Sequence, residues 1–239
     1  MAAQDAEHGM DRTRPGTQRG GQRTAAEGSR TGFDVRPLIG AIGLGGFAVL
    51  TVLIASKVAI PFDQQIFDAA QGLGQYMTAW QDLSQSANLP LIAVGAGIVL
   101  WLLYKRQWRE AVLVIIVLAI VTAGSEAIKI LIARPRPPGY NSSVLGVVYS
   151  FPSGHVLEAI TIYGMIAVLV WRSSLAKAVR VIVPIIFTLI IVLVAIARVA
   201  TGDHYPSDVL AGAVAGIAFV ALFSWLTDLI GYPRPSKHA

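Results

Sequence analysis

Lys129-Ile130-Leu131-Ile132-Ala133-Arg134-Pro135-Arg136-Pro137 closes one long apolar run. Pro152-Ser153-Gly154-His155 opens the next, and Arg198-Val199-Ala200-Thr201-Gly202-Asp203-His204-Tyr205-Pro206-Ser207-Asp208 joins two more. Each piece lies where a hydrophobic segment meets a short polar loop. Within them, Lys129, Arg136, Arg198, His155, His204 and Asp208 form a dense polar set in a chain that is 54% hydrophobic and only 14% charged. Soluble domains carry about 25% charged residues, so the composition points to an integral membrane protein.

Working outward, six apolar runs cover about residues 38–60, 89–104, 111–133, 154–171, 181–200 and 207–231. A spanning helix needs about 20 mostly apolar residues, within a range of about 17 to 25. The runs are too long for strands, and no alternating pattern supports a barrel. The expected fold is all-α: a polytopic membrane protein of six transmembrane helices. The 61–88 connection carries Phe62, Ile66, Phe67, Tyr76, Met77, Trp80 and Leu83 beside Asp63, Asp68 and Asp82, with no Lys or Arg. It is expected to hold an interfacial helix between the first and second spans, as a lid or a substrate-access element.

Residues 1–36 are polar and arginine-bearing without apolar periodicity, which reads as a disordered basic cytoplasmic tail rather than a signal peptide. The membrane domain is expected over 37–232, with a short cytoplasmic tail over 233–239. Fourteen of the nineteen Lys and Arg fall in the two tails, the Lys105–Arg109 loop and the Arg172–Arg180 segment. The positive-inside rule therefore puts both termini in the cytoplasm and the polar pieces at the extracellular or periplasmic face. The absence of cysteine excludes disulfides, thiolate nucleophiles and Cys-bound metals. Gly212 and Gly216, and the cluster Gly40, Gly43, Gly45 and Gly46, read as close helix packing.

The polar pieces have a common chemistry. Lys129, Arg136 and Arg198 repel one another unless they share an anion, and guanidinium groups match phosphate oxygens in bidentate fashion. Ser153 and Gly154 precede a helix, whose first N–H groups and dipole favour an anion. Ser153 can cap that helix and donate a hydroxyl. Asp208 follows His204 by four residues on a helix opened by Pro206, so the carboxylate can reach back to one ring nitrogen and leave the other as nucleophile or base. His155, from another loop, can serve as the acid. Such a set suits phosphoryl transfer through a phosphohistidine, where positioning and charge stabilisation carry most of the reaction.

In order and spacing, these pieces resemble the signature of the type-2 phosphatidic acid phosphatase family of integral-membrane lipid phosphatases, which is related to the vanadium haloperoxidases. The pattern is Lys-x6-Arg-Pro, Pro-Ser-Gly-His and Ser-Arg-x5-His-x3-Asp. The first two match in full; in the third, Ala197 stands where the family has Ser, which touches a helper hydroxyl only. The resemblance implies a metal-independent hydrolase without a cofactor, removing a terminal phosphate from a lipid phosphate or diphosphate. Undecaprenyl diphosphate, phosphatidic acid and phosphatidylglycerol phosphate are the candidate substrates. It implies His204 as nucleophile, Asp208 as its orienting partner and His155 as acid and then base. Lys129, Arg136, Arg198, Ser153 and Gly154 would hold phosphate oxygens.

Two other classes compete. A non-catalytic lipid-phosphate binding or transport protein would not need His155, His204 and Asp208 together, and a haloperoxidase of this kind would be soluble. The expected partners are the lipid substrate and membrane lipids, with no nucleic acid; oligomeric state is not encoded in any motif. Arg134, separated from Lys129 by four residues where the motif has six, is expected at the loop or rim. Glu126 and Glu158 lie one helical turn from Lys129 and His155 as structural partners or tuning groups. Trp101, Tyr104 and Trp108 read as interfacial anchors.

Overall fold

The computed structural model describes residues 33–73, 76, 79, 88–138 and 149–231. The tails at 1–32 and 232–239, and Met77, Trp80, Asp82 and Leu83 of the first connection, lie outside the described residues. Seven helices are present among those described: α1 (Val35–Ala55), α2 (Pro61–Gln71), α3 (Asn88–Tyr104), α4 (Trp108–Ile132), α5 (Gly154–Trp171), α6 (Lys177–Ala200) and α7 (Pro206–Leu229). The only β feature among the described residues is an isolated antiparallel bridge between Pro135 and Tyr149, so the all-α expectation holds there.

Five helices, α1, α4, α5, α6 and α7, are long and apolar enough to cross a membrane. α3 has 17 residues, about 25 Å at the helical rise and short of a hydrocarbon core of about 30 Å. The chain is thus built as a multi-pass membrane protein, with five helices meeting the length for a span where the sequence led us to expect six. α6 shows the reason most clearly. Ile182, Ile185, Leu189, Val192 and Ile196 are exposed and follow one another at spacings of three and four. A continuous apolar stripe turned outward suits acyl chains and not water.

α7 is the hub of the bundle and packs most extensively against α1 and α5. Small residues permit this. A Cβ on Gly43 would lie 2.8 Å from Ala218 Cβ, and one on Gly216 would lie 2.8 Å from Ile160 Cβ. Gly40, Gly43, Gly212 and Gly216 therefore act in close packing, whereas Gly45 of the same cluster has nothing within 4 Å. On α4, Ala111, Val114, Val117 and Val121 are buried, and the same face continues through Ser125 to Lys129. A helix stripe that begins as apolar core thus ends by delivering an ammonium group inward.

The bundle has two distinct ends. At one, Arg36 near the start of α1 and Arg172 after α5 both pair with Asp228 near the end of α7. At the other end lie α2, the turn after α4, the loop before α5 and the α6–α7 loop. Arg36 lies within α1, which begins at Val35, so the basic segment read as tail ends inside a helix.

Candidate active site

His204 lies in the five-residue loop between α6 and α7 and is 2% exposed. Its Nδ1 is 2.7 Å from the Ser150 carbonyl oxygen and 3.7 Å from Asp208 Oδ2. The first is a hydrogen bond and the second is not. A carbonyl can only accept, so Nδ1 carries the hydrogen and Nε2 presents its lone pair. Asp208 contributes charge at close range, and Oδ2 also accepts the Tyr205 N–H at 2.9 Å, capping the first turn of α7. Burial pushes the His204 imidazole below its usual range; Asp208 opposes this, and Arg136 and Arg198 add to it. Burial thus favours the neutral imidazole over the charged one.

The predicted cations do surround this loop. Arg198 Nη1 donates to Asp203 Oδ2 at 2.9 Å, and the Thr201 hydroxyl donates to the same oxygen. Arg136 Nη1 donates to the Asp203 carbonyl at 2.8 Å. Asp203 thus fixes two guanidinium groups. Lys129 pairs with Glu126, and a Cβ on Gly154 would lie 3.2 Å from Lys129 Nζ. Lys129, Arg136, Arg198 and His204 all lie within electrostatic reach of His155. The site residues read from the motifs therefore gather at one end of the bundle.

The loop before α5 is locked to its surroundings by backbone bonds. Ser153 N–H donates to the Asp208 carbonyl at 3.1 Å, and Ser150 N–H donates to the Arg134 carbonyl at 2.9 Å. The peptide bond between Phe151 and Pro152 is cis. Ser153 sits at the N-cap of α5, but its side chain makes no capping bond; the expected cap is absent and the hydroxyl is left over. Among the described residues, buried Ser153 Oγ, His155 Nε2 and Ser125 Oγ have no hydrogen-bond partner. Buried polar atoms are nearly always satisfied, and these three lie at the end of the bundle that holds the motif cations, whereas Gln107 Oε1 and Arg180 Nε, also without a partner, lie elsewhere.

Two residues outside the predicted set belong here. Arg134, expected at the loop or rim, does lie in the loop after α4, but its guanidinium is partly buried between Asp208 and Asp63. The reason is local. Ala133 adopts a left-handed conformation (φ 49°) that ends α4, and Pro135 forbids its continuation, so Arg134 leaves the helix and meets Asp63 of α2 and Asp208 of α7. Asp63 comes from α2 and is 6% exposed. Glu158 bonds to Thr122.

Among the described residues, a helical bundle with five helices of membrane-crossing length, and with two histidines, an aspartate and several cations gathered at one end, defines a class of multi-pass membrane proteins with a polar site. Residues 110–232 match the model of the PAP2 superfamily, and the chain belongs to that family. It is 32% identical over 192 residues to phosphatidylglycerophosphatase B of Bacillus subtilis (strain 168), covering 77% of this chain and 92% of the relative. The crystal structure of a transmembrane PAP2-type phosphatidylglycerolphosphate phosphatase from Bacillus subtilis superposes with a TM-score of 0.64 at 24% identity, over 84% of this chain and all of that one. Aquifex aeolicus LpxE follows at 0.52 and 19% identity, over 70% of this chain and 97% of that one.

Proposed function

We propose that the protein is a membrane lipid phosphatase that removes a terminal phosphate through a phosphohistidine on His204. The observation that carries this reading is the pairing of unused buried donors, Ser153 Oγ and His155 Nε2, with the surrounding cations Lys129, Arg136 and Arg198. A phosphoryl group satisfies the donors and neutralises the cations at once. Membership of the PAP2 superfamily and the similarity to phosphatidylglycerophosphatase B support a lipid phosphate as substrate.

In this mechanism His204 Nε2 attacks phosphorus while Nδ1 keeps its hydrogen on the Ser150 carbonyl. The bond from phosphorus to the leaving oxygen breaks, and His155, protonated once the negative phosphoryl group offsets Lys129, Arg136 and Arg198, supplies that oxygen with a proton. Lys129, Arg136, Arg198, Ser153 and the Gly154 N–H hold the phosphoryl oxygens. His155, now neutral, takes a proton from water, whose oxygen displaces His204 and releases phosphate. Asp208 stabilises the cationic ring of the intermediate. No metal ion takes part. Sidedness follows from the basic loops: both termini are cytoplasmic, α2 lies at the outer interface, and the site faces the extracellular or periplasmic side.

The test is phosphate release in detergent from phosphatidylglycerol phosphate, phosphatidic acid, undecaprenyl diphosphate and a water-soluble phosphate ester, with and without EDTA. The lipids are expected to turn over faster than the soluble ester and to be insensitive to EDTA. His204→Ala is expected to abolish release, about 10³-fold or more, as loss of a nucleophile does. Activity of His204→Ala within about tenfold of wild type, or equal rates on the soluble ester, would count against the reading.

A further inference from the structure

We infer that Asp63 and Arg134 form a clamp that positions the Asp208–His204 pair and sets its charge, which makes α2 a working part of the site. The inference rests on the proposed role of His204.

The contacts form a closed ring. Arg134 Nη1 donates to Asp208 Oδ1 and, at 2.8 Å, to Ser207 Oγ. Arg134 Nη2 donates to Asp63 Oδ2 at 2.8 Å. Asp63 Oδ1 accepts the Ser207 N–H at 2.7 Å, and Oδ2 accepts the Ser207 hydroxyl at 2.6 Å. The Arg134 guanidinium also lies 4.2 Å from the centre of the Tyr205 ring. Ser207 and Asp208 are fully buried. The planar fork of Arg134 fixes one lobe of the Asp208 carboxylate, and the other lobe is the one nearest His204. The Arg134 carbonyl meanwhile accepts the Ser150 N–H, and the Ser150 carbonyl holds His204 Nδ1. One residue thus reaches His204 by two routes.

Charge gives the ring its consequence. Asp63, Arg134 and Asp208 sum to one negative charge. That balances the one positive charge His204 acquires when Nε2 bonds to phosphorus with Nδ1–H retained. Removing Arg134 leaves Asp208, the carboxylate beside His204, and Asp63 behind it without the cation between them; removing the Asp63 charge leaves Arg134 wholly to Asp208. The two changes push the imidazole in opposite directions. The other charged and titratable groups facing His204 are His155 on α5, Arg136, and Arg198 of α6 with its partner Asp203. None of them is altered in either variant.

The experiment compares Arg134→Gln, Asp63→Asn, Asp68→Asn and His204→Ala with wild type, reading kcat and KM for phosphate release from a lipid phosphate across pH. Asp68 is exposed on the same helix and controls for charge alone; its variant is expected to match wild type. Arg134→Gln and Asp63→Asn are expected to lower kcat about 10- to 100-fold, the range for groups that orient a reacting side chain, with KM within about threefold. The acid limb of kcat/KM is expected to move to higher pH in Arg134→Gln and to lower pH in Asp63→Asn, each by about half a unit or more. NMR titration of the His204 imidazole reads the same displacements without turnover. Coincident limbs and titration curves in the two variants and wild type would overturn the clamp, whatever the thermal stability. A fully active His204→Ala would instead overturn the phosphohistidine reading.

Discussion

At the scale of single residues, the buried and neutral state of His204 is the feature with the most direct consequence. A nucleophilic nitrogen must be unprotonated, and an imidazole ordinarily gains its proton near pH 6.5. Burial lowers that value for His204. The sign follows: the competent form predominates above the lowered value and is lost as pH falls through it. The acid limb of kcat/KM, measured for one lipid phosphate between about pH 4 and 8, is therefore expected below about 6.5, the ordinary histidine value. A limb above 7 would show that Asp208 outweighs burial and that His204 is largely protonated at neutral pH.

The same scale shows what the sequence could and could not reveal. Lys129, Arg136, His155, Arg198, His204 and Asp208 were legible because their chemistry resides in side chains at fixed spacing. Ser150 was not, because it acts through its carbonyl, which every residue possesses. Asp63 was not, because it lies 144 residues from its partner Ser207 and carries no motif. Arg134 was read only as a loop or rim residue because it falls outside the Lys-x6-Arg spacing, and a motif spacing is silent on its ion pairs with Asp63 and Asp208. The orienting partner of His204 also shifted: the carboxylate four residues on is at charge range, and a carbonyl makes the hydrogen bond.

At the scale of elements, α7 meets the loop before α5 at Gly212. A Cβ there would lie 2.6 Å from the Ser153 carbonyl oxygen and 3.3 Å from Leu157 N. Both are backbone atoms, which cannot swing aside as a side chain can. Gly212→Ala is expected to push Ser153 and His155 out of register, costing about 1 to 3 kcal/mol in stability as overpacking does. A displacement of about 1 Å at reacting groups costs on the order of 100-fold in kcat. Gly45→Ala in α1 meets nothing within 4 Å and is expected to keep wild-type activity. Thermal unfolding and phosphate release on both variants check this; equal behaviour of the two would mean that the α5–α7 contact yields without moving the site. The small-residue spacing had already pointed to packing at Gly212, but not to the site loop as the surface it packs against.

For the whole molecule, the bundle's two ends differ in what they hold together. One carries the Arg36–Asp228–Arg172 cluster, where Asp228 of α7 bonds both arginines, and the basic loops flank that end. The other carries the site. Most of the membrane-length helices were legible from hydropathy, whereas α3 has 17 described residues, fewer than the run of about 20 a span needs. The proposed orientation, with the site outward, predicts a labelling pattern that the cysteine-free chain makes simple to read. Gln65→Cys on α2, Tyr104→Cys at the end of α3 and Ser174→Cys between α5 and α6 all occupy exposed positions, and none alters a Lys or Arg. In intact cells a membrane-impermeant maleimide is expected to label Gln65→Cys alone, with Tyr104→Cys and Ser174→Cys reacting only after permeabilisation. The reverse pattern would place the site in the cytoplasm. The distribution of Lys and Arg would then have failed as a topological signal, because the cations of the site itself, Lys129, Arg134, Arg136 and Arg198, sit at the end the rule assigns outward.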